Sequence, residues 1–494
     1  MSDPTPAAAG RALAGTWKAV LPVALWLLLL LWPAPAGLPA NAWHFFALFA
    51  AVILALILEP IPAAGVGLIG ISAAAVFRYV DPTTAGSVNW ALSGFSDATV
   101  WLIFGAFVFS TGYSKTGLGR RIALLLVRRL GSRTLGFGYA VALADLALAP
   151  GIPSNTGRSA GVLYPVLRNI PPLYGSEPGP TARRIGAYIM WVAFASSCVT
   201  SCLFLTALAP NAAALAIVKN TTRLDITWTQ WFLGALPIGS VLLALVPLAT
   251  YLLYPPEIKC SREIPRWAAA ELEKMGPLTR QELAMILLVA LALFLWIAGS
   301  NRDISLPLVG SNFIHSTAVV LVAVSLLLLT GIVGWEDIAG NKGAWNVLVW
   351  FATLVTLADG LNKVGFVGWL AQLAAQPLLG MGPMPAMALL VALFFGIHYF
   401  FASLSAHTAA VLPVVLAVGM KIPGIPVLPF SLLLVFSLGL MGVLTPYATG
   451  PAPVFYGSGY LSRADFWKLG LLFGLLFLTV LLGIGIPYLT TSTP

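Results

Sequence analysis

The amino-acid sequence predicts an all-α polytopic membrane protein with about eleven transmembrane helices in two inverted repeats, each containing a re-entrant hairpin and a broken helix. Of its 494 residues, 59% are hydrophobic and only 9% charged, with a mean hydropathy of +0.93. A soluble domain carries roughly 25% charged residues, so the apolar surplus here must face lipid. Apolar segments long enough for a bilayer core of about 30 Å recur along the chain. One order of motifs also occurs twice at a constant offset, as in transporters built from two related halves.

The first element is an uncleaved helix within an N-terminal region 1–41, because Arg11 and Lys18 precede an apolar stretch with no convincing small-residue cleavage site. A first repeat, 42–254, has expected spans near 42–59, 62–79 and 97–114, an interrupted region 134–220 with a hairpin near 134–166, and a span at 229–254. The polar stretch 255–281, with Lys259, Arg262, Arg266, Lys274 and Arg280, reads as a cytoplasmic linker. A second repeat, 282–494, has spans near 282–299, 312–334 and 344–361, a hairpin near 383–414, and final spans near 428–448 and 466–488.

Gly112, Lys115 and Gly117 return as Gly360, Lys363 and Gly365, each 248 positions later, and Pro165-Val166 returns as Pro413-Val414 at the same offset. Lys115 is followed by Arg120, Arg121, Arg128, Arg129 and Arg133, whereas Lys363 is followed by no Lys or Arg until Lys421. Lys and Arg are retained on the cytoplasmic side, so the two equivalent segments are expected on opposite faces, with the halves inverted.

The same charge pattern excludes other classes. The 26 Lys+Arg against 17 Asp+Glu, a net charge of +9, sit in short segments between apolar runs. That is an orientation signal and leaves no basic-aromatic surface for nucleic acid. Cys198, Cys202 and Cys260 make no disulfide framework. His44, His315, His398 and His407 are scattered, without the clustering that a membrane-embedded enzyme would need. A cation/proton antiporter would need paired midplane acids, and the chain offers Asp145 and Asp359 singly, with Asp97 near a helix entry.

Each half breaks its apolar pattern at the same place. In the first, 149–159 contains Pro153, Ser154, Asn155, Thr156, Gly157 and Arg158, too polar for lipid and too rich in Pro and Gly for continuous helix. Ser, Asn and Thr cap helix starts, and a helix opening here points free N–H groups and the positive end of its dipole into a cavity, where carboxylates bind well. The second break, 396–408, offers Ser403, Ser405, His407 and Thr408 before Pro413. Two such tips approaching from opposite faces would present one donor set to each end of a short dicarboxylate; the alternative is that these residues only cap broken helices.

Arg158 reads either as a bidentate ligand for a substrate carboxylate or as an ion-paired structural residue. His407 reads either as a donor or proton switch, or as a packed polar side chain. Further interruptions at 206–211, with Thr206 and Asn211, and at 445–453, with Thr445, would expose carbonyl and N–H groups, or be simple proline kinks.

At these motifs the sequence resembles the divalent anion:sodium symporter family, in its 2-oxoglutarate/malate translocator branch. The resemblance is carried by 153–159, Phe204-Leu205-Thr206, 403–410 and Gly450-Pro451-Ala452-Pro453-Val454 with Gly457-Ser458-Gly459-Tyr460, and it covers nearly the whole chain in element order. It implies a homodimer in the cytoplasmic membrane, each protomer with a scaffold part and a moving part, exchanging small dicarboxylates such as malate, succinate, 2-oxoglutarate or tartrate by alternating access. It makes Ser154, Asn155 and Thr156, with Ser403, Ser405, His407 and Thr408, the expected substrate ligands. No cofactor is implied beyond a coupling sodium ion near Ser154, Asn155 and Asn211, as in sodium-coupled di- and tricarboxylate symporters. Those members repeat Ser-Asn-Thr in the second half, where this chain has Leu404 between Ser403 and Ser405. The branch carries His-Tyr-Gly where this chain has Pro446-Tyr447-Ala448, which implies a different substrate preference.

Overall fold

A computed structural model describes residues 6–260, 262–299, 310, 311 and 313–492, with residues 1–5 of the expected N-terminal region and residue 312 of an expected span outside them. Among the described residues the chain is helical, without strands. Eight of these helices are long and apolar enough to cross a membrane, or nine if Thr84–Ser96 and Ala98–Thr116, bent by 42°, make one span. Five more apolar helices have 10–17 residues, too short alone for the roughly 20 that a full crossing takes. The expected spans therefore include half-length helices, which is how a broken span appears.

At the centre lies the helix Gly186–Leu203, every residue of which is buried. Its sequence is apolar all round except for small hydroxyls, and such a helix can only sit inside protein. Ser197 and Ser201 return their hydroxyls to Phe194 O and Ser197 O of the same helix, at 2.9 and 2.6 Å, so they cost little to bury. The helix Val427–Leu440, buried from Pro429 onward, crosses it. The crossing is possible because of Gly439, where an added Cβ would lie 2.4 Å from the backbone N of Cys202.

Both central helices stop short. After Leu203 a short 3-10 turn, Leu205–Ala207, precedes Ala209–Thr222. After Leu440 a similar turn, Met441–Val443, leads to an irregular segment and then Ala452–Gly457. Beside each break sits a hairpin. The first descends as Thr134–Leu148, turns through 149–155, and returns as a π-helix, Thr156–Leu163, continued by Tyr164–Leu167. The second descends as Pro383–Ile397, turns through 398–403, and returns as Leu404–Met420.

The repeated Gly-x-x-Lys-x-Gly has a physical role. Gly117 and Gly365 both take left-handed backbone, with φ 74° and 83°, where each long helix ends and a short one begins. Only glycine adopts that conformation without steric cost. The helix that follows Gly117, Leu118–Leu130, buries Leu118, Leu124 and Val127. The stretch expected as a polar loop, 255–281, is not irregular: Glu263–Met275 forms a helix docked on Leu118–Leu130. Arg120 pairs with Glu271 at 2.6 Å and Arg121 with Glu282 at 2.6 Å. The hydropathy profile hides this helix because its buried stripe is only Ile264, Ala268 and Leu272.

Candidate functional site

The two hairpin tips and the two helix breaks converge on one cavity of about 270 Å³. Its walls include Ser154 and Asn155 from the first hairpin, Leu208–Pro210 from the first break, Ser403 and Ser405 from the second hairpin, and Thr449 and Gly450 from the second break. Four of the sequence-predicted residues, from tips about 250 positions apart in the chain, therefore face the same space.

Each tip is built by capping. Ser154 Oγ accepts the backbone N–H of Gly157 at 3.0 Å, and Asn155 Oδ1 accepts that of Thr156 at 2.9 Å. Ser403 Oγ accepts the N–H of Ala406 at 3.3 Å. A capping serine uses its oxygen as acceptor and keeps its own proton to donate. Asn155 Nδ2 donates to Thr449 Oγ1 at 2.7 Å, which leaves one Asn155 N–H and the Thr449 hydroxyl proton to donate. The Ser405 hydroxyl has no hydrogen-bond partner among the described residues. Among the described residues no Lys or Arg lines the cavity. Its wall sets hydroxyl and amide donors at helix starts, which suit an anion, beside the Glu59 carboxylate and apolar side chains such as Phe107 and Leu404.

The other expected residues are placed elsewhere. Arg158 is fully buried and does not reach the cavity. Its Nε pairs with Asp145 at 3.0 Å, Nη1 donates to Ile152 O and Ala207 O at 3.1 and 2.9 Å, and Nη2 reaches Thr200 Oγ1 and Ser201 Oγ at 3.1 Å each. All five donors are used inside the protein, leaving none for a substrate. Asp145 also accepts from the Thr200 hydroxyl. The arginine thus ties the first tip to the first break.

Thr206 is likewise buried and donates to Pro150 O at 2.8 Å, and Thr408 donates to Leu404 O at 2.7 Å, one turn back in its own helix. Thr445 is buried and accepts the N–H of Tyr447. His407 is buried against Phe394, Phe401 and His398, with ring centroids 4.5, 4.9 and 5.1 Å away, outside the cavity wall. Thr156 is exposed, and its hydroxyl abuts Gly450, where a Cβ would come within 2.0 Å of it. Asn211 caps the first central helix through Nδ2, to Ser201 O at 2.8 Å and Phe204 O at 3.2 Å.

Sequence reasoning missed Thr449, Gly450 and Glu59 in the cavity wall. Thr449 and Gly450 stood within the 445–453 interruption; nothing local marks Glu59. The acids that an antiporter would need are already partnered: Asp145 by Arg158, and Asp359 by Lys363 at 2.9 Å, while Asp97 caps its helix through Thr99 N at 2.7 Å.

The family profile described as the sodium:sulfate symporter transmembrane region matches residues 13–491. The chain belongs to this family. It is the divalent anion:sodium symporter family that the motifs resemble, and membership makes the chain a multi-pass membrane transport protein rather than an enzyme. The chain is 46% identical over 483 residues to the L-tartrate/succinate antiporters of Escherichia coli (strain K12) and Shigella sonnei (strain Ss046), covering 95% of this chain and 97% of each relative. Its fold is similar to the Alcanivorax borkumensis YdaH transporter, with a TM-score of 0.56 at 17% identity, covering 92% of this chain and 99% of that one. It is also similar to Neisseria gonorrhoeae MtrF, of a class of antimetabolite efflux pumps, with a TM-score of 0.55 at 14% identity, covering 91% and 95%. These two likenesses concern the fold alone.

Proposed function

We propose that this symporter-family protein exchanges small dicarboxylates, of the tartrate and succinate type, across the cytoplasmic membrane by alternating access. The observation that carries the proposal is the single cavity shared by Ser154 and Asn155 with Ser403 and Ser405. Each pair takes one carboxylate of the substrate, using hydroxyl and amide donors together with the N–H groups of the helix start behind it. Among the described residues no Lys or Arg lines the wall and Glu59 opposes an anion there, so dipoles and neutral donors have to hold the dianion, firmly enough to bind yet weakly enough to release it on the other side. The relatives named as L-tartrate/succinate antiporters support the choice of substrate and of exchange.

In this reading residues 42–254 and 282–494 are the two inverted halves, joined by the cytoplasmic linker 255–281 that carries the docked helix. The hairpins and broken helices move as one body, and two copies of the chain form a dimer. A mass measurement of the particle in lipid nanodiscs tests the dimer.

A sodium ion near Ser154, Asn155 and Asn211 is a second reading, favoured by one observation: Asn211 Oδ1 is buried without a hydrogen-bond partner among the described residues. Labelled-succinate uptake into proteoliposomes separates the two. Exchange requires unlabelled dicarboxylate inside and ignores a sodium gradient. Symport proceeds into empty liposomes and follows the gradient.

A further inference from the structure

Glu59 terminates the helix Ala40–Leu58 with left-handed backbone, φ 48° and ψ 55°. Among the described residues only Arg78 and Arg223 join it as non-glycine residues with positive φ. That conformation crowds the Cβ of any L-residue. Pro60 follows directly, and its ring further restricts the residue before it to extended backbone. Strain of this kind persists where the surrounding structure holds it in place, and it gathers at working sites.

The turn places Glu59 in the wall of two neighbouring cavities. One is the 270 Å³ cavity of Ser154, Asn155, Ser403 and Ser405. The other, of about 300 Å³, shares Ser403 and Ser405 with it and is bounded also by Asn346 and Trp350. Among the described residues neither wall contains a Lys or Arg. Glu59 is exposed and forms no ion pair among the described residues, so its charge is not neutralised by a neighbour.

We propose that Glu59 sets the upper limit on substrate charge, admitting acids with two carboxylates and turning away those with a third. The inference rests on the hairpin tips holding two carboxylates. Glu59 borders both spaces open to a third carboxylate, the shared cavity and the one adjoining it, so the two carboxylates held by the tips have donors to offset its charge and a third has none. Like charges a few ångströms apart repel by about 1 kcal/mol even in water, and such repulsion is an effective way to reject a competing ligand.

The test uses proteoliposomes exchanging labelled succinate, with unlabelled succinate or tricarballylate as external competitor at about pH 7.5, where the carboxylates of both competitors are ionised. For Glu59→Gln, the half-inhibitory concentration of tricarballylate should fall about tenfold relative to that of succinate, the effect of removing one like-charge contact. Glu59→Gly accepts the left-handed turn without strain, so it folds even where Glu59→Gln does not, and it should shift the ratio the same way. Glu59→Asp keeps the charge and should keep the exclusion. In the unaltered protein the dianionic monoamide of tricarballylate should compete where tricarballylate does not. The proposal is overturned if both competitors shift equally in Glu59→Gln and Glu59→Gly, if neither shifts, or if the monoamide is rejected too, which would make size the filter. Failure of the hairpin reading shows separately, as undiminished succinate exchange in Asn155→Ala.

Discussion

Asn155, at the tip of the first hairpin, donates from Nδ2 to the hydroxyl of Thr449 in the second helix break, 2.7 Å away and 294 positions later in the chain. Both side chains are buried, and both line the candidate cavity. The bond joins the two halves at the point where a substrate would sit. It also fixes the Asn155 amide so that Oδ1 caps its own helix while one N–H remains to donate.

Replacing Asn155 with Ala removes a donor to a charged ligand, worth about 2 kcal/mol, so succinate exchange should fall about 30-fold or more. The protein should still reach the membrane folded, with thermal stability in detergent lowered by about 1 kcal/mol for the lost bond to Thr449. Asn155→Asp keeps the shape and adds a negative charge, and should abolish exchange outright. Exchange at the unaltered rate in Asn155→Ala would remove Asn155 from the site.

Arg158 should behave as part of the scaffold rather than as a ligand. Arg158→Ala leaves Asp145 charged and buried without its partner, at a cost of about 3–5 kcal/mol, so folded yield and melting temperature should drop sharply. Arg158→Lys should rescue little, because one ammonium cannot reach the carbonyls and hydroxyls that the guanidinium holds. An Arg158→Ala protein with normal melting temperature but no transport would return Arg158 to the substrate.

The docking of the helix Glu263–Met275 should loosen slightly at low pH. Lys274, with Arg120 beyond it, holds the Glu271 carboxyl below the usual carboxylate range. A carboxyl depressed on folding contributes stability above its unfolded value, near 4.3, and loses it as pH falls through the folded one. The protection of residues 263–275, taken relative to the intrinsic amide exchange rate at each pH, should therefore be flat from about pH 8 to pH 5 and fall by no more than about fivefold below about pH 4. Arg120 and Lys274 are 52% and 72% exposed, so Glu271→Gln should speed exchange at neutral pH by no more than about fivefold, and added salt should do the same.

Much of the site was readable from residue types. Ser154, Asn155, Ser403 and Ser405 are polar, cap-forming residues in chain that is otherwise apolar, and such a pattern at membrane depth can only mean a break. The repeated glycines were readable for the same reason, since Gly117 and Gly365 meet a local backbone requirement. Arg158 was not decidable, because its partner Asp145 lies 13 positions earlier and meets it only when the hairpin closes. His407 was equally ambiguous until Phe394, Phe401 and His398 surrounded it. The helix 263–275 was missed because its apolar stripe is intelligible only beside Leu118–Leu130.

By itself the sequence determined that this chain lives in a membrane, that its helices break in two matching places, and that the broken ends carry hydroxyl and amide groups. Those are properties of composition and local backbone preference, which act within a few residues. The tertiary structure alone decided which polar groups face the cavity and which are spent inside the protein. That choice depends on partners far apart in the chain, brought together only when the two hairpins pack against the two crossed central helices.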